Sequence, residues 1–441
     1  MLLQFSITNF RAFKEKATLS LLATNYDKTT REEDNIYHDT KFNYRLLKSA
    51  VVYGANASGK TKLFEALTFM KHFVIGSSKD SQKGDKIQVE PFRLDRESEE
   101  RSSEFEVIFT YKDVLYRYGF EVDCKRVVSE WLYYRPKTKE IELFYREKDH
   151  FDTHTRNFSK GKTVIKEGLV RDNALLLSVT AQFNEPFSIN VMDWFKELKT
   201  ISGLHESGYH GYTMGRTEDP LHKARILELL KAADMGIYDI TLQKLELDNL
   251  PKEMPVSLRE RITKEMHEEN TEFISDVLAT HKRYDQNKQA FDSVHFSMDD
   301  DESSGTRKFF ALTGPILDVL ENGYTLVIDE LDSKLHPNLV CEIVALFNSS
   351  KWNKKNAQLI FNTHDTNLLN SGLFRRDQIW FTEKSKYGDA KLYSLADFKS
   401  VDVKKTESFE TNYIRGKYGA VPILNFSDRL INKLAANENE G

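Results

Sequence analysis

Residues 54–61 read Gly54-Ala55-Asn56-Ala57-Ser58-Gly59-Lys60-Thr61, a G-x-x-x-x-G-K-[ST] pattern. That spacing suits polyphosphate. Glycines let backbone N–H groups turn inward around phosphate oxygens, and a following helix adds partial positive charge at its N-terminus. Gly54, Asn56, Ala57, Ser58, Gly59, Lys60 and Thr61 are therefore the expected cradle for a nucleoside triphosphate. Lys60 is expected to reach the β- and γ-phosphates, and Thr61 to hold Mg²⁺. Far downstream, Thr325-Leu326-Val327-Ile328 runs into Asp329-Glu330. A buried strand ending in two acids presents both carboxylates at the edge where α/β folds bind ligands. Asp329 is expected to support the metal, directly or through water, and Glu330 to polarise an attacking water.

These residues need particular elements beneath them. Residues 49–53 are a short apolar run suited to a buried strand. Leu63, Phe64, Leu67, Met70 and Phe73 recur near helical spacing. Strand, glycine loop and helix are the context the phosphate pattern requires. Residues 4–10 alternate like a half-buried strand, and 17–22 suggest a second. Residues 25–45 are polar and irregular, and 76–84 read as a connection. Runs at 105–110, 114–122, 127–134 and 142–146 predict an antiparallel meander, and the apolar run 174–179 closes this lobe.

From 187 to 290 helical patterns prevail, at 191–198, 222–233 and 258–279, around a Gly-rich loop at 203–215. Strand character returns at 293–296. Residues 326–328 and 359–361 suit buried parallel strands. The last residues, 435–441, are expected to fray. Lys60 and Asp329 are too far apart for one uninterrupted domain. The expected division is a lobe over 1–186, a helical insertion over 187–290 and a second lobe over 291–441.

Composition sets outer limits. A chain of 441 residues, 40% hydrophobic and 30% charged, can bury a large core in two lobes. A net charge of −5 gives no global reason to bind nucleic acid, but leaves room for a local patch. Arg375, Arg376, Lys404, Lys405, Arg415 and Lys417 are the candidates, although a solvated charged surface is the better account of them. Cys124 and Cys341 are the two cysteines and form no C-x-x-C pair, so no zinc hook is expected and a reducing cytosol fits. No apolar run approaches the roughly 18–20 residues that span a bilayer. The N-terminus has no signal-peptide pattern. A cytoplasmic protein without membrane contact is expected.

Asp301-Glu302-Ser303-Ser304-Gly305-Thr306-Arg307-Lys308 resembles the signature motif of ATP-binding-cassette (ABC) ATPases, in the variant of chromosome-maintenance and Rad50-like heads. The resemblance implies that Ser303 and Gly305 contact the γ-phosphate of ATP held by another subunit. Ser304 departs from the family glycine, and the same serine would suit an ordinary helix cap. Asn362-Thr363-His364-Asp365 resembles the family's switch segment, which implies a γ-phosphate contact from His364. Leu331-Asp332-Ser333 resembles the D-loop, and His336-Pro337 should open the next helix. The family carries a glutamine between its antiparallel and helical parts. Gln182 occupies that junction, and Gln88, in a strand-like run, is the poorer competitor.

The chain as a whole resembles the soluble ABC-type ATPases of bacterial defence islands, closest to the AbiL/RloA-type abortive-infection component. The passages 7–13, 53–61, 329–337 and Tyr418-Gly419-Ala420-Val421-Pro422 carry this. The first three are shared with OLD and Rad50-like ATPases. The implied fold is α/β: an ABC-ATPase head with a mixed sheet, an antiparallel β lobe and a helical insertion.

The implied function is an ATPase, using ATP and Mg²⁺, whose ATP-sandwiched homodimer or higher oligomer gates a separately encoded Toprim- or RNase-like effector in anti-phage defence. Asp389, Asp397 and Asp402 have no nuclease spacing, so no nuclease is expected in this chain. The alternatives are a Rad50-like DNA-maintenance ATPase that binds DNA or RNA directly, which the lack of a long heptad coiled coil disfavours, and a transporter's nucleotide-binding subunit.

Overall fold

A computed structural model describes residues 1–154, 156–245, 255–268, 274–399 and 407–422. The strand Ser49–Gly54 is buried at every position. It can be apolar throughout because both of its faces are covered: Ala50 and Val52 belong to one core, Val51 and Tyr53 to the other. Its neighbours repeat the pattern. Val327 and Ile360 face the first core, while Leu326, Ile328, Leu359 and Phe361 face the second.

These strands form a six-stranded sheet in the order Lys199–Ser202, Thr325–Asp329, Gln358–Asn362, Ser49–Gly54, Ile379–Lys384, Ala390–Ser394. The first five are parallel and the last is antiparallel. The predicted parallel strands at 326–328 and 359–361 are thus present. One face carries the helix Lys60–Gly76, and the other carries the helices Ser304–Asn322 and Pro337–Asn348.

The predicted meander is also present. Strands Val127–Arg135, Val114–Val122, Ser103–Tyr111 and Leu2–Thr8 lie consecutively in a seven-stranded antiparallel sheet. Ser103–Tyr111 alternates buried and half-buried positions, as a one-sided sheet requires. The fully buried Gln358 ties the two sheets. Its Oε1 accepts from Leu2 N at 2.6 Å, and its Nε2 donates to Leu2 O at 2.9 Å and Leu47 O at 3.1 Å. The expected class, α/β with an antiparallel lobe, is therefore the observed one.

Several local expectations are corrected. The apolar run 174–179, to which its pattern assigns no element, leads into the helix Leu176–Gln182. Glu130, fully buried, accepts from Leu176 N and Leu177 N at 2.6 and 3.0 Å and satisfies its first turn. The segment 25–45 holds a hairpin of Ile36–Asp39 and Tyr44–Leu47. The loop expected at 203–215 contains the helix Ser207–Arg216.

The region 187–290 is more mixed than its helical pattern. It has the helices Pro186–Glu197 and Pro220–Ala232, but Lys199–Ser202 joins the central sheet. The helix expected over 258–279 divides into Val256–Glu268 and the strand Ile274–Tyr284, which lies between Asp239–Lys244 and Ala290–Ser297 in a three-stranded sheet. The expected fraying at 435–441, and Asp402, Lys404 and Lys405, lie outside the described residues.

Candidate phosphate-binding site

The phosphate loop leaves the central strand at Gly54 and enters its helix at Lys60. A Cβ on Gly54 would sit 2.5 Å from Thr382 O, so the loop can approach the neighbouring strand only as glycine. Ser58 Oγ and Thr382 Oγ1 share a hydrogen bond of 2.7 Å across the same gap. Gly59 adopts φ 109°, which favours glycine, and closes the turn into the helix. Lys60 is buried and donates to Gly54 O at 2.7 Å and Ala55 O at 3.2 Å. Burial pulls its ammonium below the usual lysine range, opposed by the charges of Glu330, Asp329 and Asp332.

Those acids reach Lys60 because three parallel strands set their carboxyl ends side by side. Ile328 pairs with Phe361, and Asn362 pairs with Val52. Asp329 and Glu330 leave the first strand, Asn362 ends the second, and the loop leaves the third. A cavity of about 750 Å³ results. Asn56 to Lys62, Glu330 and His364 line it, together with Arg11, Glu90 and Arg93.

Asp329 is pushed above the ordinary carboxyl range, chiefly by burial; its hydrogen bonds to Asn362 and Thr61 oppose the shift. A hydroxyl and one carboxylate side by side fit Mg²⁺, which keeps waters and takes its remaining ligands from substrate phosphates. Among the described residues no group of three His, Cys, Asp or Glu side chains forms a protein-only metal cage.

Sequence reasoning missed three supports of this site. Asn362 Oδ1 accepts from Glu330 N at 2.7 Å, while its Nδ2 donates to Asp329 Oδ1. One side chain thus fixes both acids. Its signal was a polar residue ending the apolar run Gln358–Asn362. Gly203 donates to Asp329 O at 2.6 Å, and a Cβ there would fall 2.0 Å from Glu330 O. Arg11 is paired to Glu65 and to Glu90 at 2.8 Å, which puts a cation on the cavity wall.

His364 is exposed, and its backbone N–H donates to Asp332 Oδ2 at 3.0 Å. The segment resembling a D-loop is thereby tied to the segment resembling the switch. His336 Nδ1 accepts from Asn338 N at 3.2 Å and caps Pro337–Asn348, as expected.

Ser303 caps the helix Ser304–Asn322, its Oγ accepting from Thr306 N at 3.1 Å. Ser303 and Ser304 are exposed, and neither they nor Gly305 lines the phosphate-loop cavity. Gly305 instead packs on Lys334, which with Arg307, Glu206 and His210 helps to line a second cavity of about 540 Å³. The cap and the resemblance are therefore compatible.

Two expectations fail on geometry. Gln182 Nε2 donates to Ser78 Oγ at 2.7 Å, just beyond the C-terminus of Lys60–Gly76. That helix has 17 residues and is about 25 Å long, so Gln182 is held at the wrong end of it to touch a phosphate. Gln88 is exposed and lies in no strand. The basic patch also dissolves in part. Arg375 is 1% exposed, donating to Asp377 at 2.9 Å and 3.0 Å, and Arg376 is buried with Leu395 O and Phe398 O as acceptors. Lys417 pairs with Glu407 at 2.7 Å. Arg415 is exposed.

The family model described as "AAA domain, putative AbiEii toxin, Type IV TA system" matches residues 49–370. No curated protein matches the chain. Solved structures similar to it include the SMC head domain from Thermotoga maritima, at 12% identity and TM-score 0.38, covering 89% of this chain and 98% of that one. An SmcHead bound to the C-winged helix domain of ScpA matches at 13% identity and TM-score 0.40, covering 89% and 97%. No described helix is long and apolar enough to cross a membrane.

Proposed function

We infer function from family membership: this chain belongs to the AAA_21 family of AAA domains, matched from the phosphate-loop strand to beyond the switch-like histidine. As a P-loop ATPase it binds ATP with Mg²⁺ and hydrolyses ATP to ADP and phosphate. Thr61 and Asp329 would hold Mg²⁺, which would neutralise charge on the phosphates. The loop N–H groups and Lys60 position the γ-phosphate. Glu330 orients and polarises the attacking water, and His364 contacts the γ-phosphate opposite it.

Ser303 and Gly305 of a second copy complete each site, so ATP closes a homodimer and hydrolysis reopens it. The dimer acts as a cytoplasmic switch that gates a separately encoded, nuclease-like effector in anti-phage defence. The toxin-system description of the family supports that setting. The segment 187–290 is available to a partner apart from Lys199–Ser202, which belongs to the central sheet of the head.

The observation that carries this reading is a separation within one chain. Lys60, Glu330 and His364 share a cavity, while Ser303 and Ser304 stand exposed away from it. Sedimentation of Glu330→Gln with ATP and Mg²⁺ tests it. A stable ATP-dependent dimer is expected; a species unchanged by saturating ATP overturns the shared site.

A further inference from the structure

Lys308 is a fully buried lysine with no phosphate to bind. It lies on the helix Ser304–Asn322, five residues after Ser303. An ammonium has three N–H donors. Here the three go to three carbonyls of one loop: Glu330 O at 3.2 Å, Leu331 O at 2.9 Å and Ser333 O at 2.5 Å. Among the described residues these acceptors are all backbone carbonyls, so the lysine is bonded to the loop's backbone rather than to an opposing charge.

The loop would not hold that shape unaided. Glu330 and Lys334 both have left-handed backbones, with φ 58° and 61°. Non-glycine residues take this conformation at a cost. Gly305, in the first turn of the Lys308 helix, lies so close that a Cβ would fall 2.8 Å from Lys334 O. The loop is gripped elsewhere too: Glu330 N by Asn362, and Asp332 by His364 N. One node therefore joins the proposed water-polarising acid, the switch-like histidine and the helix that carries Ser303.

We propose that Lys308 is a positioning residue that fixes Glu330 and couples its own chain's ATP site to Ser303, the group offered to the partner's ATP. The inference rests on the shared-site reading above. Movement of the loop at one nucleotide would be carried along the helix to the other.

The test uses the full chain, with wild type, Lys308→Met and Lys308→Arg compared for ATP affinity, kcat, Hill coefficient and thermal melting. For Lys308→Met, ATP affinity within about twofold, kcat at least tenfold lower and a Hill coefficient near one are expected. Lys308→Arg, which can still donate to several carbonyls, should recover at least a third of kcat and the cooperativity. Wild-type kcat and cooperativity in Lys308→Met overturn the proposal. So does Lys308→Arg that melts like wild type yet is as slow as Lys308→Met. If Lys308→Met does not fold, Lys308→Arg decides alone: at least a third of wild-type kcat with retained cooperativity supports the proposal, and wild-type melting with kcat at least tenfold lower overturns it. Failure of the underlying reading looks different: wild type itself then shows no ATPase activity or no cooperativity.

Discussion

The side-chain oxygen of Asn362 accepts a hydrogen bond from the backbone N–H of Glu330 at 2.7 Å. The strand next to the acidic strand thereby sets the backbone from which the proposed water-polarising carboxylate projects. The same amide also donates to Asp329. Removing it frees both acids at once. Asn362→Ala is expected to lower kcat about tenfold to a hundredfold, with little change in ATP affinity, which single-turnover kinetics separate. The lost buried bonds should also cost about 1–3 kcal/mol in denaturant unfolding.

Gly203 has no room for a methyl group, because Glu330 O would lie 2.0 Å from its Cβ. The obstruction is backbone, which cannot rotate away. Gly203→Ala is expected to lose about 1–3 kcal/mol of stability and most of its hydrolysis while ATP still binds. Melting and nucleotide-binding measurements on one preparation check both halves.

Lys308 supplies a pH dependence with a definite sign. Burial lowers its pKa to about 8; Asp332, Glu206 and Glu330 oppose the shift and Lys334 adds to it. Between about 8 and the ordinary lysine value of 10.5 the unfolded chain holds the extra proton, so this group's contribution to stability rises with pH. The neutral amine has one donor fewer than it has carbonyls to satisfy. Hydrolysis by wild type should therefore decline above about pH 8 without a parallel loss of melting temperature. Lys308→Arg should remain flat. A kcat profile from pH 7 to 9.5 checks it.

Lys60 binds two loop carbonyls and sits among Glu330, Asp329 and Asp332. Lys60→Ala removes the cation that the γ-phosphate needs, and calorimetry should find at least a hundredfold weaker ATP binding. Tight binding by that variant would reassign the loop.

What was legible in the sequence was local or periodic. The phosphate loop, the acidic strand and the meander each carry their pattern within a few residues. Residues 174–179 are a short apolar run, for which buried helix and buried strand look alike. Ile274–Tyr284 has half-buried positions in no strict alternation and so imitates a helix. Gln182 was placed by its position between two regions, but the long helix carries Ser78, and Gln182 with it, away from the phosphates. Arg375 read as surface charge because its partners, Asp377 and Glu32, meet it only in the fold, and the three loop carbonyls that hold Lys308 likewise reach it only there.

The central claim is that each ATP is shared between two chains, and complementation measures it most directly. Ser303→Arg retains its phosphate loop and loses its donor helix start; Lys60→Ala does the reverse. Each alone should be inactive, and an equimolar mixture should regain a sizeable fraction of wild-type ATPase activity, because a mixed dimer contains one intact composite site. Ser303→Arg that hydrolyses ATP at the wild-type rate by itself would contradict the shared site.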